Sequence, residues 1–216
     1  MPSQRIEPGA RPRRARNPRG EGGRLRDDLI EAASDLMAQH GTAEAATVRA
    51  VARRAGVSAP SVYMHFPDRD ALVQAVIAQR FDDLTEAIEA GVASAGPDAT
   101  ASERLRAGAR GYVQYGLEHP GHYRVLFDTP TGPFSGDTEE AAAAAFGTLV
   151  DGIAACQAAG EAPPGDAFTR AAVTWPAMHG AVMLRIVSAH FPWPPIEEHL
   201  EQLLVGLVGL RPRPAQ

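Results

Sequence analysis

A chain of 216 residues with a net charge of −5 is long enough to bury a substantial core, and its single cysteine, Cys156, excludes an intramolecular disulfide. No stretch approaches the run of about 20 apolar residues that a membrane span needs, and the first residues lack a signal-peptide core, so a cytoplasmic protein with no membrane partner is expected. Residues 1–70 hold 12 arginines against 9 acidic residues while residues 71–216 hold 9 against 17, so only the N-terminal end can approach phosphate.

Residues 1–23 combine proline, glycine and six arginines with almost no large apolar side chain. They cannot repay the entropy of ordering, and a disordered basic tail is expected, either simply solvated or an arm that adds phosphate or minor-groove contacts. From Leu25 the pattern changes. Leu25, Leu29, Ala32, Ala33, Leu36 and Met37 recur at helical spacing, and Gly41 stops the helix. Thr47 can cap a short second helix with Val48, Val51, Ala52 and Ala55 inward, broken by Gly56. Ser58 can cap a third, with Pro60 tolerated in its first turn and Val62 and Phe66 inward. Pro67-Asp68 ends that helix and begins a fourth, in which Leu72, Val76, Leu84 and Ile88 form one stripe.

Beyond Gly96-Pro97 the spacing predicts helices over 101–118, 120–128, 138–159, 166–190 and 195–210, separated by Pro- and Gly-rich breaks. No alternating β-branched run suggests a sheet. The expected fold class is all-α: a three-helix helix-turn-helix domain over 24–69 and a helical domain over 70–210. Cys156 reads as a small buried residue rather than a reactive thiol. His119 and His122 straddle a Pro-Gly break without a third partner, and neither a metal site nor a cofactor motif is expected.

Two short helices joined by a Gly-containing turn can place the second in the major groove of DNA. Val57, Val62 and Phe66 are needed inside, which leaves Ala59, Pro60, Ser61, Tyr63, Met64 and His65 outward. An outward patch of Tyr, Met and Pro is wasteful on a surface that touches only water. The run from Thr47 through Ala55-Gly-Val-Ser58 to Tyr63-Met-His-Phe66, followed by Pro67-Asp-Arg-Asp-Ala-Leu72, resembles the DNA-binding signature of the TetR family of transcription regulators.

The resemblance covers Arg24 to about Leu84. It implies that Arg49, Ala59, Pro60 and Met64 meet base edges, and that Thr47, Ser61, Tyr63, His65 and Arg69 hold phosphates of a double-stranded operator. Arg49 has the fork geometry for guanine O6 and N7, or it meets a phosphate instead; Ala59, Pro60 and Met64 offer only apolar contact, as with a thymine methyl. Ala59 departs from the polar or basic residue that many relatives carry there.

Further on, Trp175-Pro-Ala-Met-His179-Gly180 resembles a C-terminal subgroup of the family marked by Trp, His and Gly. Trp175, His179 and Met183 share one helix face, and Tyr112, Tyr115 and His119 another. With Phe127, the residues Tyr112, Tyr115, Trp175, His179 and Met183 can wall an apolar pocket for a small-molecule effector, or serve as core aromatics with satisfied polar tips.

The last helix carries Ile196, Leu200, Leu203, Leu204, Leu207 and Val208 on one stripe that needs a cover, and Gly206 and Gly209 could permit close helix approach. By the resemblance the last two helices form a homodimer interface. The expectation is a repressor released from a palindromic operator by an apolar or aromatic molecule, with the fourth helix as lever. A DNA-binding protein without a ligand switch and an all-α enzyme are the alternatives.

Overall fold

The computed structural model describes residues 22–128, 134 and 136–213, and every α-, 3-10 or π-helical segment named below lies within them. The basic tail expected over residues 1–23 falls almost wholly outside them. Helix α1 (Gly22–His40) buries Leu29, Ala33 and Met37 on one face and ends where Gly41 turns left-handed at φ +69°. A 3-10 turn (Ala43–Ala45) follows, which the sequence reading did not separate. Its Ala43 and the adjoining Ala46 are both buried.

Helix α2 (Val48–Ala55) starts on Thr47, whose hydroxyl accepts the Ala50 N–H at 3.2 Å, and ends on Gly56 at φ +71°. Helix α3 (Ala59–Tyr63) is only five residues long. Two expectations change here. Ser58 occupies the cap position but makes no capping bond; its Oγ lies 2.8 Å from Ser61 Oγ instead. The helix also stops at Tyr63, and a turn in which the His65 and Phe66 N–H groups both donate to the Val62 carbonyl carries the chain to the buried Phe66. Arg26 of α1 lies over the Phe66 ring at 5.3 Å.

Asp68 accepts the Ala71 N–H at 2.7 Å and starts the long α4 (Arg69–Ser94). Leu72, Val76, Leu84 and Ile88 are buried along it, as the stripe predicts. Helix α5 (Ala101–Glu118) begins with a full capping box between Thr100 and Glu103. It packs antiparallel to α4 through a glycine seam, where a Cβ added at Gly111 would meet the Ala87 carbonyl oxygen at 2.4 Å and one at Gly91 the Ala107 oxygen at 2.6 Å. No residue but glycine fits there without a shift.

Helix α6 (Pro120–Asp128) packs on both α1 and α4, and α7 (Asp137–Ala158) lies along α4, α5 and α8 (Ala167–Val187). By length and composition α7 passes as apolar enough to cross a membrane, although Asp151 interrupts it. Its apolar character comes more from Phe146, Leu149, Val150 and Ile153 than from its run of five alanines, and those four side chains are buried in the core or pack on it. Within α8, Pro176 removes the N–H that the Ala172 carbonyl would accept.

The last predicted helix divides into α9 (Ile196–Leu203) and a π-helical turn (Leu204–Val208), closed by Gly209 at φ +81°. Most of its apolar stripe is covered by the chain itself, since Leu200, Leu204 and Val208 are buried. Arg106 of α5 clamps this segment with two bonds to Glu201, at 2.7 and 2.8 Å. The apolar surface left open lies chiefly on α8, where Phe168, Val173, Leu184 and Val187 are exposed, with Leu207 beyond. Gly206 has nothing within 4 Å of where a Cβ would stand, and Gly209 meets Pro163 of the same chain.

Candidate nucleic-acid interface and internal cavity

The second and third helices divide their side chains sharply. Val62 and Phe66 are 0% and 3% exposed, whereas their neighbours Tyr63 and Met64 are 56% and 84% exposed. Large side chains are held outward because α3 is anchored from within by Val62 and Phe66. Pro60 is also exposed, and Ala59, Ser61 and His65 are half-buried beside it. Thr47 and Arg49 stand exposed at the start of α2. The Thr47 oxygen caps the helix, which leaves its hydroxyl proton to donate outward.

Arginines cluster on this side with different partners. Arg54 is tied to Asp35 at 2.7 Å, Arg69 lies 3.5 Å from Asp70, and Arg49 has no carboxylate partner among the described residues. Exposed arginines beside the apolar Tyr63 and Met64 suit a groove lined by phosphates.

Some distance away, α4, α5, α7 and α8 enclose a cavity of about 660 Å³, with Leu126 and Phe127 of α6 at one end. Its wall is almost wholly apolar. Arg104, Tyr112, Thr148 and Trp175 are the polar residues that line it. Thr148 donates to the Ala145 carbonyl of its own helix. Trp175 Nε1 donates to the Tyr112 hydroxyl at 3.2 Å; that hydroxyl is 2.6 Å from the Tyr123 hydroxyl, which in turn lies 2.9 Å from His179 Nδ1. Burial pushes the Tyr112 phenol up to about 12, and burial pushes Tyr123 up as well, so both stay neutral. Arg104 donates to the Pro97 carbonyl at 2.6 Å.

Of the six pocket residues expected from sequence, Tyr112, Phe127 and Trp175 line this cavity and the other three do not. Tyr115 turns to α4, its hydroxyl 3.4 Å from the Arg80 carbonyl and its ring against His119. His179 stands behind the wall, its ring centre 4.5 Å from that of Phe127 and 6.2 Å from that of Trp175, with Nδ1 on the Tyr123 hydroxyl. Met183 lies eight residues past Trp175, about 12 Å along α8 at the helical rise, and on the far side of Pro176. A shared helix face does not fix distance along the axis, and eight residues carry Met183 out of reach.

Sequence reasoning missed Phe81, Arg104 and the α7 wall of Ala142, Ala145, Phe146 and Leu149. For α7 a signal existed, since Ala142, Ala145, Phe146 and Leu149 recur at helical spacing.

Comparison with known proteins decides the family. Residues 29–76 match the family described as bacterial regulatory proteins, tetR family, and residues 105–207 match the tetracyclin repressor-like C-terminal domain. An HTH-type transcriptional regulator of Mycobacterium tuberculosis is 30% identical over 164 residues, which are 76% of this chain and 71% of that one. The chain belongs to the TetR family of transcription regulators. Another TetR-type relative, the transcriptional activator FasR of Mycolicibacterium smegmatis, is 31% identical over 104 residues, 48% of this chain and 45% of its own length. A solved structure of a protein with unknown function from Rhodococcus sp. RHA1 superposes with a TM-score of 0.73 at 29% identity, covering 86% of this chain and 95% of that one. The first matched segment holds the helix-turn-helix, and the cavity is lined by residues of the second together with Phe81–Val92 of α4 and the start of α5. The Trp-His-Gly subgroup stays a reading of Trp175, His179 and Gly180 alone.

Proposed function

We propose that this TetR-family chain is a ligand-responsive repressor of the cytoplasm. It binds a palindromic operator as a homodimer through α8 and the C-terminal helical segment, and it leaves the operator when an apolar molecule fills the cavity. Residues 24–69 form the DNA-binding domain and 70–210 the effector and dimerisation domain. Arg49 takes a base edge, Ala59, Pro60 and Met64 touch apolar groups, and Thr47, Ser61, Tyr63, His65 and Arg69 hold phosphates. Tyr112, Phe127 and Trp175 contact the effector, with His179 packed behind Phe127 and Trp175, while Tyr115 and Met183 lie outside the cavity wall.

The observation that carries this reading is the double position of α4. Its first residue, Arg69, belongs to the arginine cluster of the cationic face, and Phe81, Leu84, Ile88 and Val92 of the same helix line the cavity. A ligand releases DNA only if it binds the non-binding conformation more tightly, so its site must touch an element that moves with the heads. A fixed DNA-binding protein has no use for a cavity of about 660 Å³ against that helix. The test is a footprint of the purified protein on the DNA around its own gene, repeated with hydrophobic compounds while Trp175 emission is followed in a Trp193→Phe background. Release of the footprint together with a change in emission supports the proposal; release with unchanged Trp175 emission moves the effector elsewhere.

Activation is the second reading, favoured by the relative named as an activator. A reporter driven by the footprinted promoter separates the two. Deleting the regulator raises expression if it represses and lowers expression if it activates.

A further inference from the structure

The cavity has a direction. On α4 its lining runs from Phe81 to Val92 and on α5 from Tyr112 back to Ala101, each about 16 Å along the helix at 1.5 Å per residue. Helix α7 runs alongside: Thr138 near its start donates to the Gln74 carbonyl of α4, and Gly152 near its end faces Leu105 of α5. One end of the slot is therefore near the helix-turn-helix and the other near the start of α5.

The two ends differ in chemistry. At the near end Phe81 stands edge-on to both Phe127 and Phe134, with ring centres 6.1 and 5.8 Å apart, and closes the slot with aromatic surface. At the far end is Arg104, the only charged residue of the lining among the described residues. Its one bond is to the Pro97 carbonyl, and it has no carboxylate partner among the described residues. The hydroxyl and indole groups between the ends are already occupied by one another or by backbone.

Resting on the effector reading above, we infer that the effector is an unbranched amphiphile with an anionic head, its head on Arg104 and its hydrocarbon tail lying along the slot towards Phe81. A flat aromatic molecule would leave the long axis unfilled, and a cation would meet the guanidinium. An elongated apolar chain fills the slot without needing a hydrogen bond, and the Arg104 guanidinium, with one nitrogen on the Pro97 carbonyl, keeps further N–H groups that match a carboxylate or a phosphate. The tail end then presses on Phe81 of α4, three turns from the first residue of that helix.

Trp193→Phe protein, with no DNA present, is titrated with hexadecanoate, hexadecyl phosphate and hexadecanol below their aggregation limits, with Trp175 emission as readout. Both anions are expected to bind at least tenfold more tightly than the alcohol, and Arg104→Gln to erase that difference while leaving alcohol binding unchanged. The head that loses more on Arg104→Gln identifies the natural source, carboxylate or phosphate. Ala142→Phe, which fills the near end, is expected to weaken hexadecanoate at least tenfold and decanoate much less. Equal binding of anions and alcohol, or selectivity that survives Arg104→Gln, overturns the head assignment; equal losses of long and short chains in Ala142→Phe overturn the tail assignment. Because this readout needs no DNA, an anion that binds with these preferences yet leaves the operator footprint intact refutes the switch reading alone.

Discussion

Arg49 and Arg69 sit on one cationic face in different company, and the difference predicts different phenotypes. Arg49 projects from the first turn of α2 without a carboxylate partner among the described residues, whereas Arg69 lies 3.5 Å from Asp70 at the head of α4. Arg49→Ala should cost about 1–3 kcal/mol on the best operator and relax preference at one position per half-site. Arg69→Ala should weaken every sequence alike and flatten the salt dependence. Binding titrations on single-base operator variants at two salt concentrations check both, and identical behaviour of the two mutants refutes the division. Tyr123, fully buried between Tyr112 and His179, supports a second prediction. Tyr123→Phe strips both groups of a partner and should lower unfolding free energy by about 1–3 kcal/mol in urea, with operator affinity in the absence of effector unchanged. The inward and outward residues of α3 were legible in the sequence because one helical turn fixes them. Arg104 and Phe81 were not, because a cavity wall is defined by which helices meet, and neither residue carries a local mark of that meeting.

At the scale of elements, α5 and α6 were read to the residue because Thr100, Pro120 and their neighbours punctuate them strongly. The C-terminal segment was not, because an apolar stripe at three- and four-residue spacing reads the same whether the backbone is α or locally π. Nor could the sequence tell that Leu200, Leu204 and Val208 find their cover within the chain, which moves the open apolar surface onto α8. The glycine seam of α4 and α5 gives the prediction for this scale. Gly111→Ala puts a methyl group 2.4 Å from the Ala87 carbonyl oxygen, a backbone atom that cannot rotate away. The substitution should cost about 1–3 kcal/mol despite the higher helix propensity of alanine. The same change at Gly147, where nothing lies within 4 Å, should be neutral or slightly stabilising. Thermal melts of the two variants side by side are the check.

For the whole molecule, the exposed Phe168, Val173, Leu184 and Val187 predict self-association through α8. Val173→Arg with Val187→Arg should convert a sedimenting dimer to a monomer that keeps its helical spectrum and loses tight operator binding. A wild-type monomer at micromolar concentration would refute it. Acid sensitivity follows from His122, which faces Arg80 of α4, Glu31 and Asp35 of α1, and His119. Burial first, and then the Arg80 charge, hold His122 below its ordinary 6.5. Its neutral form is the folded one, so above 6.5 it costs nothing, and as pH falls from 6.5 through the lowered value the unfolded chain takes up a proton that the folded chain resists. The urea midpoint should drop over that window, and less steeply in His122→Gln.

The glycine seam also restricts how the molecule can move. Two helices whose backbones touch at Gly91 and Gly111 cannot slide along each other, since a shift of even part of a residue drives carbonyl oxygens into Cα atoms. Shear is closed to this pair, and rotation as one stiff body about its ends remains open. If the proposed effector pushes at Phe81 in the proposed dimer, the push would reach the DNA-facing end as a change of angle, and the distance between two heads, rather than the shape of either one, is what such a motion would alter.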